Sequence, residues 1–67
     1  MTTTEFISFV KTSKQVDVIR CYADCLHLSL NWDKVKQAII NKWSISGFER
    51  IRYQAYKLVK NVKNNGN

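Results

Sequence analysis

The sequence predicts an all-α protein, a compact bundle of four short helices whose last two form a helix-turn-helix-like hairpin. Three observations lead there. The 67 residues include no proline and only two glycines, Gly47 and Gly66, whereas turn-rich β folds need such punctuation and helices are harmed by it. Apolar residues recur at three- and four-residue intervals rather than alternating. A hydroxyl or amide residue, a competent N-cap, stands at the start of each apolar-periodic segment.

Thr2 and Glu5 have the spacing of a capping box, in which each side chain satisfies an otherwise orphan amide. Phe6, Phe9 and Val10 follow on one face, so the first helix is expected over residues 4 to 11. Thr12 and Gln15 repeat the spacing, with Ser13 as a second competent cap. The second helix is expected to run to about Leu28. Its broad apolar face carries Val18, Cys21, Tyr22, Cys25, Leu26 and Leu28, with Arg20, Asp24 and His27 opposite. Asn31 is the next expected cap, with Asp33 suited to the positive end of the helix dipole. Trp32, Val35, Ile39 and Trp43 then form a stripe that ends the third helix. After a turn at Ser44-Ile45-Ser46, the pair Ser46 and Glu49 opens the fourth. That helix presents Phe48, Ile51, Ala55, Leu58, Val59 and Val62 to the core. The expected organisation is one domain over residues 1 to 62 and a disordered tail over 63 to 67, where nothing apolar remains to bury.

Size limits what such a chain can do. A domain this small buries only about 60% of its unfolded surface and has little room for a deep substrate cavity. Apolar content of 45%, with eight aromatic residues, is still enough for a packed core. No stretch approaches the roughly 20 apolar residues of a membrane span. The expected compartment is the cytoplasm, where Cys21 and Cys25 are free thiols.

No catalytic constellation is present in the sequence. His27 is the single histidine, and Asp24, three residues earlier, makes an ordinary surface pair with it on a helix. No serine or cysteine is placed beside them as a nucleophile, and there is no glycine-rich phosphate loop. Cys21, Cys25 and His27 give C-x3-C-x-H, but a structural zinc site needs four ligands and His27 projects away from the thiols. The cysteines are therefore expected to be small core residues. An enzyme is not expected, nor a cofactor or a metal.

Charge carries the strongest functional signal. The formal net charge is +6. Residues 1–33 hold Lys11, Lys14 and Arg20 against Glu5, Asp17, Asp24 and Asp33, a net of −1. Residues 34–67 hold eight cations against Glu49 alone, a net of +7. Such asymmetry points to an anionic partner. The outward face of the expected fourth helix carries Arg50, Tyr53, Gln54, Lys57, Lys60 and Asn61. Arginine and glutamine can pair with base edges, and lysines neutralise phosphates. The expected role is therefore binding of DNA or RNA, with Arg50, Tyr53, Gln54 and Lys57 central and Lys34, Lys60 and Lys63 on phosphates. A homodimer would raise avidity.

The alternative is a small interaction module, an inhibitor or adaptor that binds an acidic protein partner. Exposed aromatics beside arginines are typical interface anchors. Residues 31 to 60 resemble the compact modules of small phage, plasmid or mobile-element proteins. No motif carries that resemblance, and no residue role transfers with it.

Overall fold

The computed structural model describes residues 1–65, and of residues 61–65 the backbone alone. The chain is all-α, with helices α1 (Thr3–Thr12), α2 (Gln15–Cys25) and α3 (Trp32–Asn65). The expected count of four helices is thereby corrected to three. The expected helix-turn-helix-like hairpin falls with it. Residues expected as a third helix, a turn and a fourth helix form one helical element, interrupted at Ser44 alone. The tail expected from residue 63 falls on residues whose side chains, and at 66–67 whose backbone, lie outside the described ones.

Local hydrogen bonds explain two of the helix starts. Thr2 Oγ1 accepts from the Glu5 amide at 3.2 Å, and Glu5 Oε1 accepts from the Thr2 amide at 2.8 Å, so the capping box is complete. Asn31 Oδ1 accepts from the Lys34 amide at 3.2 Å and starts α3. The second expected cap is corrected. Lys14 occupies the N-cap of α2 and makes no side-chain bond there. That helix also stops at Cys25, three residues short of the expectation, where the Leu28 amide bonds the Cys25 carbonyl at 2.9 Å in a tight turn.

The core forms where the three helices meet. Phe6 and Val10 come from α1, and Val18, Tyr22 and Cys25 from α2. From α3 come Val35 and Ile39 before Ser44, and Phe48, Ile51 and Ala55 after it. Phe6, Val10, Val18, Val35, Ile39 and Ile51 are fully buried, each contributing about 1.5–3 kcal/mol relative to exposure. Three aromatic rings tie the helices together. Phe6 meets Tyr22 edge-on at 6.2 Å and Trp32 at 5.8 Å, and Tyr22 meets Trp32 at 4.9 Å.

A straight α3 could not build this core. Its 34 residues would span about 51 Å at 1.5 Å per residue, yet the longest dimension of the molecule is 37 Å. Phase argues the same way. Phe48 lies thirteen residues beyond Val35, about 140° around an uninterrupted helix at 3.6 residues per turn. Both are nonetheless buried in one cluster. The non-helical backbone of Ser44, at φ 75° and ψ 174°, makes the bend and resets the phase.

The bend has two local consequences. Ser44 adopts a conformation that is essentially reserved for glycine and costs about 1–3 kcal/mol. Gly47 is buried against it, and a Cβ at Gly47 would lie 2.5 Å from Trp43 Cβ, closer than two carbons can pack. The residue before Trp43 also closes the neighbouring corner. Lys42 Nζ donates to the carbonyls of Val10 at 2.8 Å, Lys11 at 3.1 Å and Ser13 at 2.8 Å. Its three protons thus satisfy carbonyls at the C-terminus of α1, where the helix dipole favours a cation. No helix among the described residues is long and apolar enough to cross a membrane.

These features predict opposite effects of neighbouring substitutions. Ser44→Gly should stabilise the fold by about 1 kcal/mol by relieving the backbone, and Gly47→Ala should destabilise it by about 1–3 kcal/mol through overpacking. Urea midpoints at constant slope measure both. Lys42→Ala should cost about 0.5–1.5 kcal/mol by removing charge-assisted bonds to α1 carbonyls that water then takes over in part, read in the same titration.

Candidate nucleic-acid interface

Beyond Ser44, α3 turns Phe48, Ile51 and Ala55 to the core and leaves the opposite face to solvent. Arg50, Tyr53, Gln54, Lys57 and Lys60 are all exposed there. Helical spacing brings positions 53, 56, 57 and 60 together, because residues three and four apart are surface neighbours. Tyr53, Tyr56, Lys57 and Lys60 accordingly line one shallow depression of about 340 Å³. Lys57 Nζ stands 5.8 Å from the centre of the Tyr53 ring, within range of a cation–π contact. Tyr53 is 63% and Tyr56 52% exposed, so both rings offer faces to a ligand.

Tyr56 was not among the residues expected to make contact, since it projects to the border of the polar face. Its i+3 spacing from Tyr53 was the available signal. Lys34 lies elsewhere, on the arm of α3 before the bend, where it lines an open groove with Ile7, Lys11, Gln37 and Ala38. The strip from Arg50 to Lys60 does not include it. The side chain of Lys63 lies outside the described residues.

The structure also sorts the cations of the second half. Lys42 is committed to the α1 carbonyls. Lys36 Nζ stands 5.5 Å from the centre of the Phe48 ring. Arg52 Nη2 pairs with Glu49 Oε2 at 3.2 Å. That exposed pair adds little stability, but it offsets the one carboxylate on this arm that would repel phosphate. Arg50, Lys57 and Lys60 are exposed on the far face, Lys57 beside the Tyr53 ring, with Gln54 beside them as a neutral donor and acceptor.

The two cysteines are free. Burial, then the neighbouring Cys25, pushes the Cys21 thiol from its ordinary 9.0 up to about 12. Burial, then Tyr56, also raises the Tyr22 phenol. In both cases the unfolded chain gives up its proton at lower pH than the fold does. The contribution of Cys21 to stability is therefore complete below about pH 9 and is lost as the pH climbs toward 12, and the raised Tyr22 phenol acts in the same direction. Urea midpoints should fall between pH 8 and pH 11, and Cys21→Ala should flatten part of that decline.

No protein-family model matches the chain, and no curated protein or solved structure was found to match it.

Proposed function

We propose that this protein binds DNA or RNA through the exposed face of α3 beyond Ser44, and that it works by binding rather than by catalysis. The observation that carries the reading is the continuous strip of Arg50, Tyr53, Gln54, Lys57 and Lys60, with Tyr56 at its edge and Glu49 neutralised by Arg52. Phosphates lie against Arg50, Lys57 and Lys60, where each contact releases condensed counterions. Tyr53 and Tyr56 supply stacking surfaces, and stacking on an aromatic ring tolerates any base. Gln54 and Arg50 are the residues able to pair with base edges. A homodimer would present two strips and gain avidity.

A second reading rests on the same tyrosines. Tyr53 and Tyr56 expose aromatic surface beside cations, a combination that suits an acidic protein partner, and Leu58, expected in the core, is instead 39% exposed on another side of the helix.

Salt dependence separates the two. Three phosphate contacts give a log–log slope of affinity against salt of about −3 on duplex DNA. Binding to a mixed duplex pool and to single strands, measured by anisotropy between 50 and 200 mM salt, should show that slope. The double variant Arg50→Ala, Lys57→Ala should reduce it by about 2. Absence of binding at the lowest salt would sink the nucleic-acid reading, and an unaltered affinity in the double variant would place the contact on another face.

A further inference from the structure

We infer that the sulfur atoms of Met1, Cys21 and Cys25 form a binding site for a soft monovalent cation, Cu(I). The inference is independent of the nucleic-acid reading and concerns a different region, where the start of the chain meets α2. Met1 Sδ stands 3.6 Å from Cys21 Sγ and 3.8 Å from Cys25 Sγ. The two cysteines are one helical turn apart, so their thiols share a face of α2. The thioether therefore meets both thiols at once.

The separation suits three-coordinate sulfur. A metal bound to sulfur at about 2.3 Å in a trigonal plane holds its ligands about 4.0 Å apart. The two distances from Met1 Sδ need to lengthen by only 0.2–0.4 Å, from 3.6 and 3.8 Å to about 4.0 Å, to admit it. Donor chemistry selects the ion, because thiolate and thioether ligands are soft and favour Cu(I). A four-coordinate zinc site lacks its remaining ligands. Among the described residues no three His, Cys, Asp or Glu side chains gather to hold a metal, and His27 is exposed on its own turn.

The surroundings support entry and order. The sulfurs border an open cavity of about 540 Å³ whose wall includes Phe9, Asp17, Arg20 and Asp24, where the two carboxylates balance the Arg20 guanidinium and the Met1 ammonium and leave the entrance without net positive charge. The capping box on Thr2 holds the residue next to Met1 by two hydrogen bonds. The Asn31 amide, bonded to Thr3 Oγ1 at 2.9 Å, ties the same segment to the start of α3. These bonds fix the backbone next to Met1, whose own side chain is 51% exposed and whose thioether reaches both thiols from that anchored start. On binding, the two thiols become thiolates and release two protons to solvent, the thioether donates a lone pair, and the copper stays Cu(I). No electron is exchanged.

The test uses the reduced full chain, with Met1 confirmed by intact mass, titrated anaerobically with Cu(I) against a chromophoric Cu(I) chelator. One equivalent should be taken from the chelator, and Zn(II) should not displace it. Cys21 is partly buried at the edge of the core, and the near-isosteric Cys21→Ser should leave the far-UV circular dichroism unchanged. It should lower Cu(I) affinity by at least about 100-fold, since loss of even an outer partner of a metal ligand costs about 10–100-fold. Selenomethionine at Met1, the single methionine, reports on the third ligand without any cysteine change. X-ray absorption at the selenium edge should show a copper neighbour. Failure to compete with the chelator, an unchanged affinity in Cys21→Ser, or a selenium edge without a metal shell would each overturn the assignment.

Discussion

The fold depends on one backbone event, the break in α3 at Ser44. Two apolar stripes on one long helix would otherwise point in different directions, and the helix would outreach the bundle it must cover. A single residue with positive φ turns the second arm back and brings Phe48, Ile51 and Ala55 against the same core as Val35 and Ile39. The conformation is costly for a residue with a Cβ. It persists because burial on both sides outweighs it: Val35, Ile39 and Ile51 alone are each fully buried and together contribute several kcal/mol on the scale of about 1.5–3 each. Gly47 is the companion requirement, since any side chain there would collide with Trp43. Lys42 then joins this corner to the end of α1, so the bend and the first helix hold each other in place.

The same bend governs how the basic charge is used. A net charge counts every lysine alike, but the folded chain does not. Lys42 faces backbone carbonyls, Lys36 an aromatic ring and Arg52 a carboxylate. Arg50 and Lys60 face solvent on the arm that the bend sets apart, and Lys57 stands beside the exposed Tyr53 ring there. Among the described residues that arm presents Arg50, Lys57 and Lys60 interleaved with two exposed tyrosines, a more directional field than the net +7 of residues 34–67 implies.

Chemical character divides along the chain. The start of α1 and the face of α2 carry soft sulfur atoms near Asp17 and Asp24, while the end of α3 carries hard cationic nitrogen and aromatic rings. The two surfaces share no residue. Cys25 takes part in both the sulfur cluster and the core, so occupancy of the cluster by a metal would also brace α2 against the start of the chain.

By itself the sequence determined what depends on neighbours within a turn or two. The all-α class, the capping box at Thr2 and Glu5, the Asn31 cap and the core positions from Phe6 to Ala55 all follow from short-range hydrogen bonding and helical periodicity. The outward placement of Arg50, Tyr53, Gln54, Lys57 and Lys60 follows from the same periodicity. Only the tertiary structure decided the rest. Hydroxyl residues at Thr12, Ser13 and Ser46 looked like caps, yet α2 starts without a side-chain cap and the sole interruption of α3 falls at Ser44. A hydroxyl side chain can cap a helix or simply face water, and the packing of distant segments selects between them. The same holds for Lys42 and Met1. Their partners lie 29 to 32 residues away for the lysine and 20 to 24 residues away for the methionine, separations that no local pattern encodes and that exist only once the bent helix has closed the core.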